Sequence, residues 1–459
     1  MIAISVAAAI VSSTVVVRLF GTDGMRGEFG QYPILPEIFS RLARAMEDFF
    51  SEHLRKNHLK VAIGRDTRES GSVLKQALIA GFSSDVTVLD CGILPTPAVA
   101  YAVRKFGCDC GLSVTASHNP YSDNGVKIFN ARGEKLPIDS ECSIEKLLQN
   151  SATNRKISGA DVLDCSAEVR REFCAPFDGM GFRFNGRVIL DVANGAGTVT
   201  SPIILKKICR DLAIIGNEPD GKNINVDCGS ENIGTLCNAV KGFPASIGIA
   251  HDGDADRLIM VDESGEPVRG DQIMGIIAKY LLSKNQLRHN LVVVTEQSNF
   301  GLDSSLAKFG IGVVRCEVGD RNVYNSMIEH DASLGGEESG HLILREFSNT
   351  GDAISAAVLV LKIMAESGLR LSLLKGDISL LPQKLCNIQV RKKIPLHEIR
   401  GFGELLDSLK KSEPDYGRVF VRYSGTEDKL RVLVEAKSEA AVDKILTCVC
   451  KFLGCSCLM

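Results

Sequence analysis

The densest group of carboxylates in the sequence is Asp252-Gly253-Asp254-Ala255-Asp256-Arg257, where three aspartates fall within five residues. Such closely spaced negative charges repel one another unless a cation lies among them. The spacing resembles a calcium-binding EF-hand loop, but Arg257 stands where that loop requires glycine, and both flanks are strand-like. Oxygen ligands beside a phosphate favour Mg²⁺. The aspartates therefore predict a magnesium site, with a solvated acidic turn as the alternative.

A hydroxyl and an imidazole stand side by side in Thr115-Ala116-Ser117-His118-Asn119-Pro120. The loop follows an apolar predicted strand, and open α/β sheets place their ligands at the carboxyl ends of strands. Ser117 is thus either an activated nucleophile or a hydroxyl that carries a phosphoryl group. Because no Gly-x-Ser-x-Gly motif surrounds Ser117, a hydrolase of that type is disfavoured. Alone, the Ser-His pair is more typical of a structural loop.

Two further loops combine glycines with polar side chains. Residues 20–27 hold three glycines and Arg26, which is typical of a turn that approaches another segment closely. Residues 335–341 place Glu337 and Ser339 between glycines, and these groups suit the hydroxyls of a sugar ring. Each loop taken alone is more typical of an ordinary turn than of a binding site.

The segment that begins at Arg422 contains the groups of a phosphate cradle. A guanidinium binds two phosphate oxygens at once, and hydroxyls and glycine-exposed backbone N–H groups add donors. The residues in question are Arg422, Ser424, Gly425 and Thr426, with Arg431 on the next predicted strand. The alternative is a set of surface charges on a small sheet. Nucleotide binding is disfavoured because the sequence has no Walker A motif.

Strands that alternate with helices must position these loops. Short apolar strands are predicted at residues 59–63, 188–190 and 291–294. A stretch with helical spacing follows each strand, at residues 73–82, 200–212 and 302–309. This alternation predicts α/β units, and its recurrence predicts three similar mixed α/β domains in series.

The end of the chain follows a different pattern, with three predicted strands and two predicted helices after Pro382. This pattern predicts a smaller C-terminal α+β domain, with Pro382 as its hinge. The expected divisions are an apolar N-terminal extension at 1–17, α/β domains at 18–155, 165–266 and 270–376, and the C-terminal domain at 383–459.

Composition disfavours several classes of protein. The 459 residues carry a formal net charge of −3, which argues against a dedicated nucleic-acid binder. The 15 cysteines have no repeating spacing, so reduced thiols in a cytoplasmic protein are expected. The apolar run at residues 2–17 is shorter than the ~20 residues of a membrane helix, and no membrane association is expected. A start codon assigned too far upstream, an added strand and a weak export signal are the three interpretations of this run.

In this order and spacing, the loops resemble those of the α-D-phosphohexomutase superfamily, over nearly the whole chain from Leu19 onward. The corresponding segments are residues 115–120 for the family's phosphoserine loop, 252–257 for its metal loop, 336–341 for its sugar-specificity loop and 422–426 for its phosphate loop. Two stretches, residues 20–27 and 219–230, resemble the phosphoglucosamine mutase branch more than the phosphomannomutase/phosphoglucomutase branch.

The resemblance implies domains around a central cleft and a phosphoryl transfer through Ser117. Ser117, phosphorylated at rest, would donate to the sugar phosphate, and a glucosamine-1,6-bisphosphate intermediate would return its other phosphate. One Mg²⁺ would be held by Ser117, Asp252, Asp254 and Asp256. The implied candidates for proton transfer and charge stabilisation are His118, Lys127 and Arg26, with Arg257 as a further active-site residue. The alternatives are that His118 only orients the loop and that Lys127 is a solvent-exposed charge at a strand edge.

The implied reaction interconverts glucosamine-6-phosphate and glucosamine-1-phosphate in the cytoplasm, for UDP-N-acetylglucosamine and cell-wall precursor synthesis. The small phosphosugar is the expected partner, and a homodimer is left open. The alternatives are a phosphomannomutase/phosphoglucomutase and a non-catalytic sugar-phosphate sensor. Two residues depart from the family pattern: Ala255 replaces a usual Gly, and Asp428 replaces a usual Pro. If position 255 needs a positive φ, Ala255 adds ~1–2 kcal/mol of strain.

Overall fold

A computed structural model describes residues 18–21, 23–150, 159–423 and 428–455. The predicted extension at 1–17 lies outside these residues, as do Ser424, Gly425 and Thr426 of the predicted cradle. Four separate sheets follow one another along the chain, and helices pack on each of them. The expected fold class, three mixed α/β domains followed by a smaller α+β domain, is therefore confirmed.

The first sheet has six strands. They are β1 (Met25–Glu28), β2 (Leu59–Arg65), β3 (Val86–Ile93), β4 (Cys110–Val114), β5 (Asp123–Asn130) and β6 (Asp161–Asp164). Their order is β1-β5-β4-β2-β3-β6, with β5 and β1 antiparallel at one edge. The helices are α1 (Pro36–Leu54), α2 (Glu69–Gly81), α3 (Thr96–Lys105) and α4 (Ile138–Asn150). Strand β6 lies between the ranges expected for the first two domains and joins this sheet.

The second sheet repeats the pattern of parallel strands with an antiparallel edge. Its elements are α5 (Ser166–Cys174), β7 (Phe184–Asp191), α6 (Ser201–Ile208), β8 (Cys209–Ile215), α7 (Gly234–Gly242), β9 (Ser246–His251), β10 (Leu258–Val261) and β11 (Pro267–Val268). The strand order is β11-β10-β9-β7-β8. The helix predicted at 200–212 is wrong at its end, because the chain from Cys209 onward pairs in parallel with β7. Pairing with a neighbouring strand overrides a local helical spacing.

The third sheet has four strands in the order β13-β12-β14-β15, named with their helices in chain order. The elements are α8 (Gly270–Ser283), β12 (Leu291–Thr295), α9 (Phe300–Ala307), β13 (Gly312–Cys316), α10 (Asp320–Glu329), β14 (Leu334–Gly336), β15 (Leu342–Leu344), α11 (Ala353–Ser367) and α12 (Leu371–Gly376). The first three strands are parallel and β15 is antiparallel.

The fourth sheet is antiparallel and smaller, with three strands. Its elements are β16 (Gln383–Gln389), α13 (Phe402–Ser412), β17 (Tyr416–Tyr423), β18 (Lys429–Ala436) and α14 (Glu439–Cys455), and the strand order is β16-β18-β17. We call β16, β17 and β18 together the C-terminal sheet. No helix among the described residues is both long and apolar enough to cross a membrane.

The buried apolar side chains form several clusters, and the four domains do not share them equally. One continuous cluster of buried side chains runs from α3 through the second sheet to α8 and α11, so it joins the first three domains. Helix α11 is apolar on nearly every side, as its run Ala353–Ser367 shows, because it packs between the second and third domains. The C-terminal sheet packs with α13 and α14 around a separate core. Among the described residues, the apolar core of the last domain is therefore not continuous with the core that joins the other three.

Candidate active site

Ser117 lies in the turn after β4, and its backbone is held from several directions. Its φ is +53°, which is uncommon for a residue with a Cβ. The fully buried Arg68 donates hydrogen bonds to the carbonyl oxygens of Ser117 at 2.9 Å and Asn119 at 2.8 Å. Asp66 balances the charge of Arg68 at 2.9 Å. A strained backbone fixed by a buried arginine indicates a functional position rather than an ordinary turn.

The loop between β9 and β10 brings three buried aspartates to Ser117. The Ser117 hydroxyl donates to Oδ2 of Asp252 at 2.5 Å. One carboxylate oxygen each from Asp252, Asp254 and Asp256 lies within 4.8 Å of the others. The loop approaches Ser117 so closely that a Cβ at Gly253 would lie 2.6 Å from the Ser117 carbonyl oxygen. The predicted metal loop and the predicted serine loop thus meet at one place.

Lys127, on β5, lies among these aspartates. Its Nζ is 2.7 Å from Asp254 Oδ2 and 2.5 Å from Asp256 Oδ2. Its side chain is 1% exposed, so the alternative of a solvent charge at a strand edge is wrong. Burial lowers the pKa of Lys127, but the two aspartates together raise it by more than burial lowers it. The resulting pKa lies above its ordinary value. Lys127 is therefore an ammonium group at neutral pH.

The oxygens that Lys127 does not contact fit a metal ion. Oδ1 of Asp254 and Oδ1 of Asp256 are buried and have no hydrogen-bond partner among the described residues. Burial, with Asp256 and Asp254, raises the pKa of Asp252 well above its ordinary value. Unsatisfied buried carboxylate oxygens are the ligands that a small divalent cation accepts. The residues present therefore fit one such ion.

Three other predicted residues surround the serine. His118 Nδ1 is 3.5 Å from Ser117 Oγ, and burial, Arg257 and Arg26 lower the pKa of His118 to about 3. The imidazole is therefore neutral at pH 7. Burial also lowers the pKa of Arg26, whose Nε donates to the Asp23 carbonyl oxygen at 3.1 Å. Arg257 pairs with Glu231 at 3.0 Å.

A cleft of about 580 Å³ lies beside this cluster, and residues of the third and fourth domains also line it. His118, Arg257, Glu337 and Ser339 all line it. Oε1 of Glu337 accepts the backbone N–H of Gly319 at 3.0 Å, which fixes the carboxylate toward the cleft. The structure therefore brings the predicted sugar loop to the same cavity as the serine loop.

Arg422 and Arg431 line the same cleft from the C-terminal sheet. They occupy directly paired positions on β17 and β18. Like charges at paired positions of adjacent strands repel each other. Burial and the nearby Arg431 lower the pKa of Arg422, and Arg422 Nε is buried with no hydrogen-bond partner within the described ranges. Two guanidinium groups placed in this way favour an anion between them.

Three residues that line the cleft (Asp23, Asp320 and His341) and their neighbour Lys135 were not predicted as site residues. Lys135 forms ion pairs with Asp23 and Asp320, and His341 Nε2 is 3.3 Å from Asp320 Oδ2. Asp23 and His341 lie within loops that the sequence does mark by their glycines. Lys135 and Asp320 carry no such signal, because the contact between them joins positions 185 residues apart.

The chain matches one family along most of its length. Four descriptions of phosphoglucomutase/phosphomannomutase domains match it in order: alpha/beta/alpha domain I at residues 17–155, domain II at 181–265, domain III at 269–379 and the C-terminal domain at 385–451. Phosphoglucosamine mutase of Syntrophotalea carbinolica is 40% identical over 441 residues, which cover 93% of this chain and 94% of that protein. Phosphoglucosamine mutase of Nautilia profundicola is also 40% identical, over 94% of this chain and 97% of that protein.

Solved structures share the fold at lower sequence identity. A phosphoglucomutase/phosphomannomutase family protein from Burkholderia thailandensis is 22% identical, with a TM-score of 0.77 over 96% of this chain and 97% of that one. N-acetylphosphoglucosamine mutase of Aspergillus fumigatus, solved with GlcNAc-6P and magnesium, is 19% identical, with a TM-score of 0.68 over 95% of each chain. This chain belongs to the phosphoglucomutase/phosphomannomutase family.

Proposed function

We propose that this protein is a phosphoglucosamine mutase, which interconverts glucosamine-6-phosphate and glucosamine-1-phosphate through a phosphoserine enzyme and glucosamine-1,6-bisphosphate. Relatives of that name match over nearly their whole length at about 40% identity. One observation supports the chemistry: His118, the neighbour of Ser117, lines the same cleft as Arg422 and Arg431, and the Ser117 hydroxyl is hydrogen-bonded to Asp252. A phosphate carrier and a phosphate holder at one cleft are what a mutase requires.

The metal is proposed to be one Mg²⁺ per active site. Asp252, Asp254 and Asp256 would hold it together with an oxygen of the phosphoryl group on Ser117. When bound, the ion supplies neutralisation of the charge that develops during phosphoryl transfer. Lys127, an ammonium between Asp254 and Asp256, keeps two of these carboxylates ionised and adds a second positive charge beside the serine.

Proton movement at Ser117 is assigned to the imidazole of His118. His118 is unprotonated at pH 7 and its Nδ1 lies 3.5 Å from the serine oxygen, so it can accept a proton there. Lys127 and Arg26 are cations and stabilise negative charge in this state. Arg257, paired with Glu231 on the cleft wall, adds a guanidinium toward the substrate.

Substrate binding is assigned to two groups of residues, one in the sugar loop and one in the C-terminal sheet. Glu337 and Ser339 would contact hydroxyls of the sugar ring, and Arg422 with Arg431 would hold the phosphate that is not reacting. Ser424, Gly425 and Thr426 would complete that cradle. Because the bisphosphate turns around between its two transfers, the cradle must accept either phosphate, so it must recognise charge and geometry rather than the sugar.

The proposed enzyme acts in the cytoplasm, in the synthesis of UDP-N-acetylglucosamine and cell-wall precursors. The domain limits given from the sequence stay predictions, and so does the homodimer. Light scattering of the purified chain measures the oligomeric state directly.

A coupled assay tests the function. Glucosamine-6-phosphate, glucose-1-phosphate and mannose-1-phosphate are offered separately with Mg²⁺ and a trace of bisphosphate activator. We expect the amino sugar to have the highest kcat/KM, because buried groups that bind one substrate's polar atoms are left unpaired by another. Faster turnover of glucose-1-phosphate or mannose-1-phosphate would instead identify a phosphomannomutase/phosphoglucomutase. No turnover of any of them, with phosphosugar binding retained, would identify a sensor.

A further inference from the structure

One side chain of the sugar loop contacts the C-terminal sheet. Glu338 stands between Glu337 and Ser339, the two residues that would contact the sugar. Its Oε1 accepts a hydrogen bond from Nε2 of Gln383 at 2.7 Å. Gln383 is the first residue of β16, so this bond joins the sugar loop to the sheet that carries the phosphate-binding arginines.

The other end of the Gln383 amide is anchored to the third domain. Its Oε1 accepts from Nδ2 of Asn299 at 2.7 Å. Asn299 is 1% exposed. Its Oδ1 accepts a hydrogen bond from the backbone N–H of Leu381 at 2.8 Å, and its Nδ2 donates to the Leu381 carbonyl oxygen at 2.9 Å. Asn299 thus holds the segment that leads into the C-terminal domain, and Gln383 extends that hold to Glu338.

The sugar loop and this anchor rest on the same helix end. The backbone N–H of Asn299 donates to Asp271 Oδ2 at 2.7 Å, at the start of α8. The residue before it, Gly270, lies directly under the sugar loop, where a Cβ would be 2.4 Å from the Glu337 carbonyl oxygen. Hydrogen bonds therefore connect Glu338 through Gln383 and Asn299 to the start of α8, on which the sugar loop also packs.

Polar contacts decide how the C-terminal domain is placed. Its apolar core is separate from that of the other domains. Arg418 donates to the carbonyl oxygens of Glu296 at 2.6 Å and Ser298 at 3.0 Å, and Glu435 accepts from the backbone of Phe300 at 3.2 Å. These contacts hold the sheet to the third domain. Among them, the bond from Gln383 is the one that reaches the sugar loop.

We propose that Gln383 is a positioning residue, which couples the placement of the phosphate-binding sheet to the sugar loop through Glu338. The inference rests on the proposed mutase function. During turnover the bisphosphate must stay in the cleft while its sugar contacts are broken and made again. If the sheet and the loop move as one unit, the intermediate is retained. If they move separately, the bisphosphate escapes and leaves Ser117 without its phosphate.

The first test compares two glutamines of the same strand. Gln383→Ala removes the link, whereas Gln389→Ala changes an exposed glutamine at the far end of β16. We expect Gln383→Ala to raise KM about tenfold, the loss typical of a hydrogen bond to a charged group. We also expect it to release bisphosphate and to need added glucosamine-1,6-bisphosphate for sustained turnover. With saturating activator, kcat should return to within about twofold of the wild-type value.

The second test exchanges the two partners. Gln383→Glu alone places two carboxylates against each other and should reproduce the defect. Gln383→Glu combined with Glu338→Gln restores one carboxylate and one amide, so KM and retention of bisphosphate should recover. This swap carries the test even if Gln383→Ala does not fold, which thermal unfolding of each variant will show.

The outcomes separate two failures. If the wild type and Gln389→Ala do not interconvert glucosamine phosphates, the proposed function is wrong. If both are active and Gln383→Ala matches them in KM and in its need for activator, the coupling alone is wrong. A swap variant no better than Gln383→Glu would likewise overturn it.

Discussion

Two regions beside the cleft, the one around Ser117 and the C-terminal sheet, differ in how their charged side chains are paired. In the serine–metal region, defined by Ser117, Lys127 and the three aspartates 252, 254 and 256, Lys127 neutralises two carboxylates within 2.7 Å. In the C-terminal sheet, Arg422 faces Arg431 across paired strands. In the first arrangement opposite charges are paired without substrate, whereas in the second two like charges face each other, which is why we propose that a phosphate binds there. On our proposal, the first region carries out chemistry at a fixed place and the second receives a charged ligand.

Packing follows the same division. The serine–metal region belongs to the domains that share one apolar core, while the C-terminal sheet has its own. Substitutions in the first region should therefore affect stability, and those in the second should affect binding. The predictions below test this difference.

The largest effect on stability is expected for Lys127→Met. Removing the ammonium leaves Asp254 and Asp256 buried without a counter-charge, which typically costs about 3–5 kcal/mol. Added Mg²⁺ should restore much of this loss, because a cation among the aspartates replaces the missing charge. Thermal unfolding with and without Mg²⁺ measures both effects. Lys222→Met, at an exposed ion pair, should change stability by less than about 0.5 kcal/mol. An equal effect at both lysines would contradict the account.

A pH effect is expected at the joint between the two regions. Burial raises the pKa of Asp271 to about 7. The folded protein therefore binds a proton that the unfolded chain has lost, so stability should fall as pH rises from about 4 to about 7, by up to ~4 kcal/mol. Asp271→Asn should flatten this dependence in thermal unfolding between pH 5 and pH 8. The exposed Asp161→Asn should leave it unchanged, and an unchanged slope in Asp271→Asn would exclude Asp271 as its source.

Arg422→Lys should act on binding rather than on folding. A point charge replaces a planar fork, which costs ~1–3 kcal/mol of binding free energy and so raises KM by roughly five- to 150-fold. The free protein should be about as stable, since lysine keeps the positive charge that faces Arg431. Steady-state kinetics and thermal unfolding of the same preparation give both numbers. A normal KM would show that the arginine does not hold the phosphate.

The smallest effect is expected for Ala255→Gly. Ala255 has a φ of +55°, so the strain anticipated from the sequence at this position is present. Glycine adopts this conformation without a steric cost, although it also gains freedom in the unfolded chain. The net result should be a stabilisation of up to about 1 kcal/mol with the metal loop intact. A loss of stability on thermal unfolding would mean that the methyl group packs better than it strains.

Features that depend on neighbouring residues in the chain were the ones that could be predicted from the sequence. Strands such as β2 and β12 and the glycine-marked loops depend on neighbouring residues, so their positions were predicted well. The helix expected at 200–212 was predicted too long, because the pairing of β8 with β7 involves distant residues. Arg68 was missed as the holder of the Ser117 loop for the same reason, since its contact spans 49 positions. Lys127 was a candidate, but its burial among aspartates follows only from the assembly of two domains.

The central claim is that Ser117 carries the phosphoryl group, and intact-mass spectrometry tests it most directly. The wild-type chain, incubated with glucosamine-1,6-bisphosphate and Mg²⁺, should show the added mass of one phosphate. Ser117→Ala should lack this mass and lose activity by orders of magnitude, since the carrier of the transferred group is gone. The Ser117 hydroxyl is buried and hydrogen-bonded to Asp252. A Ser117→Ala variant that stays active without carrying phosphate would contradict the account.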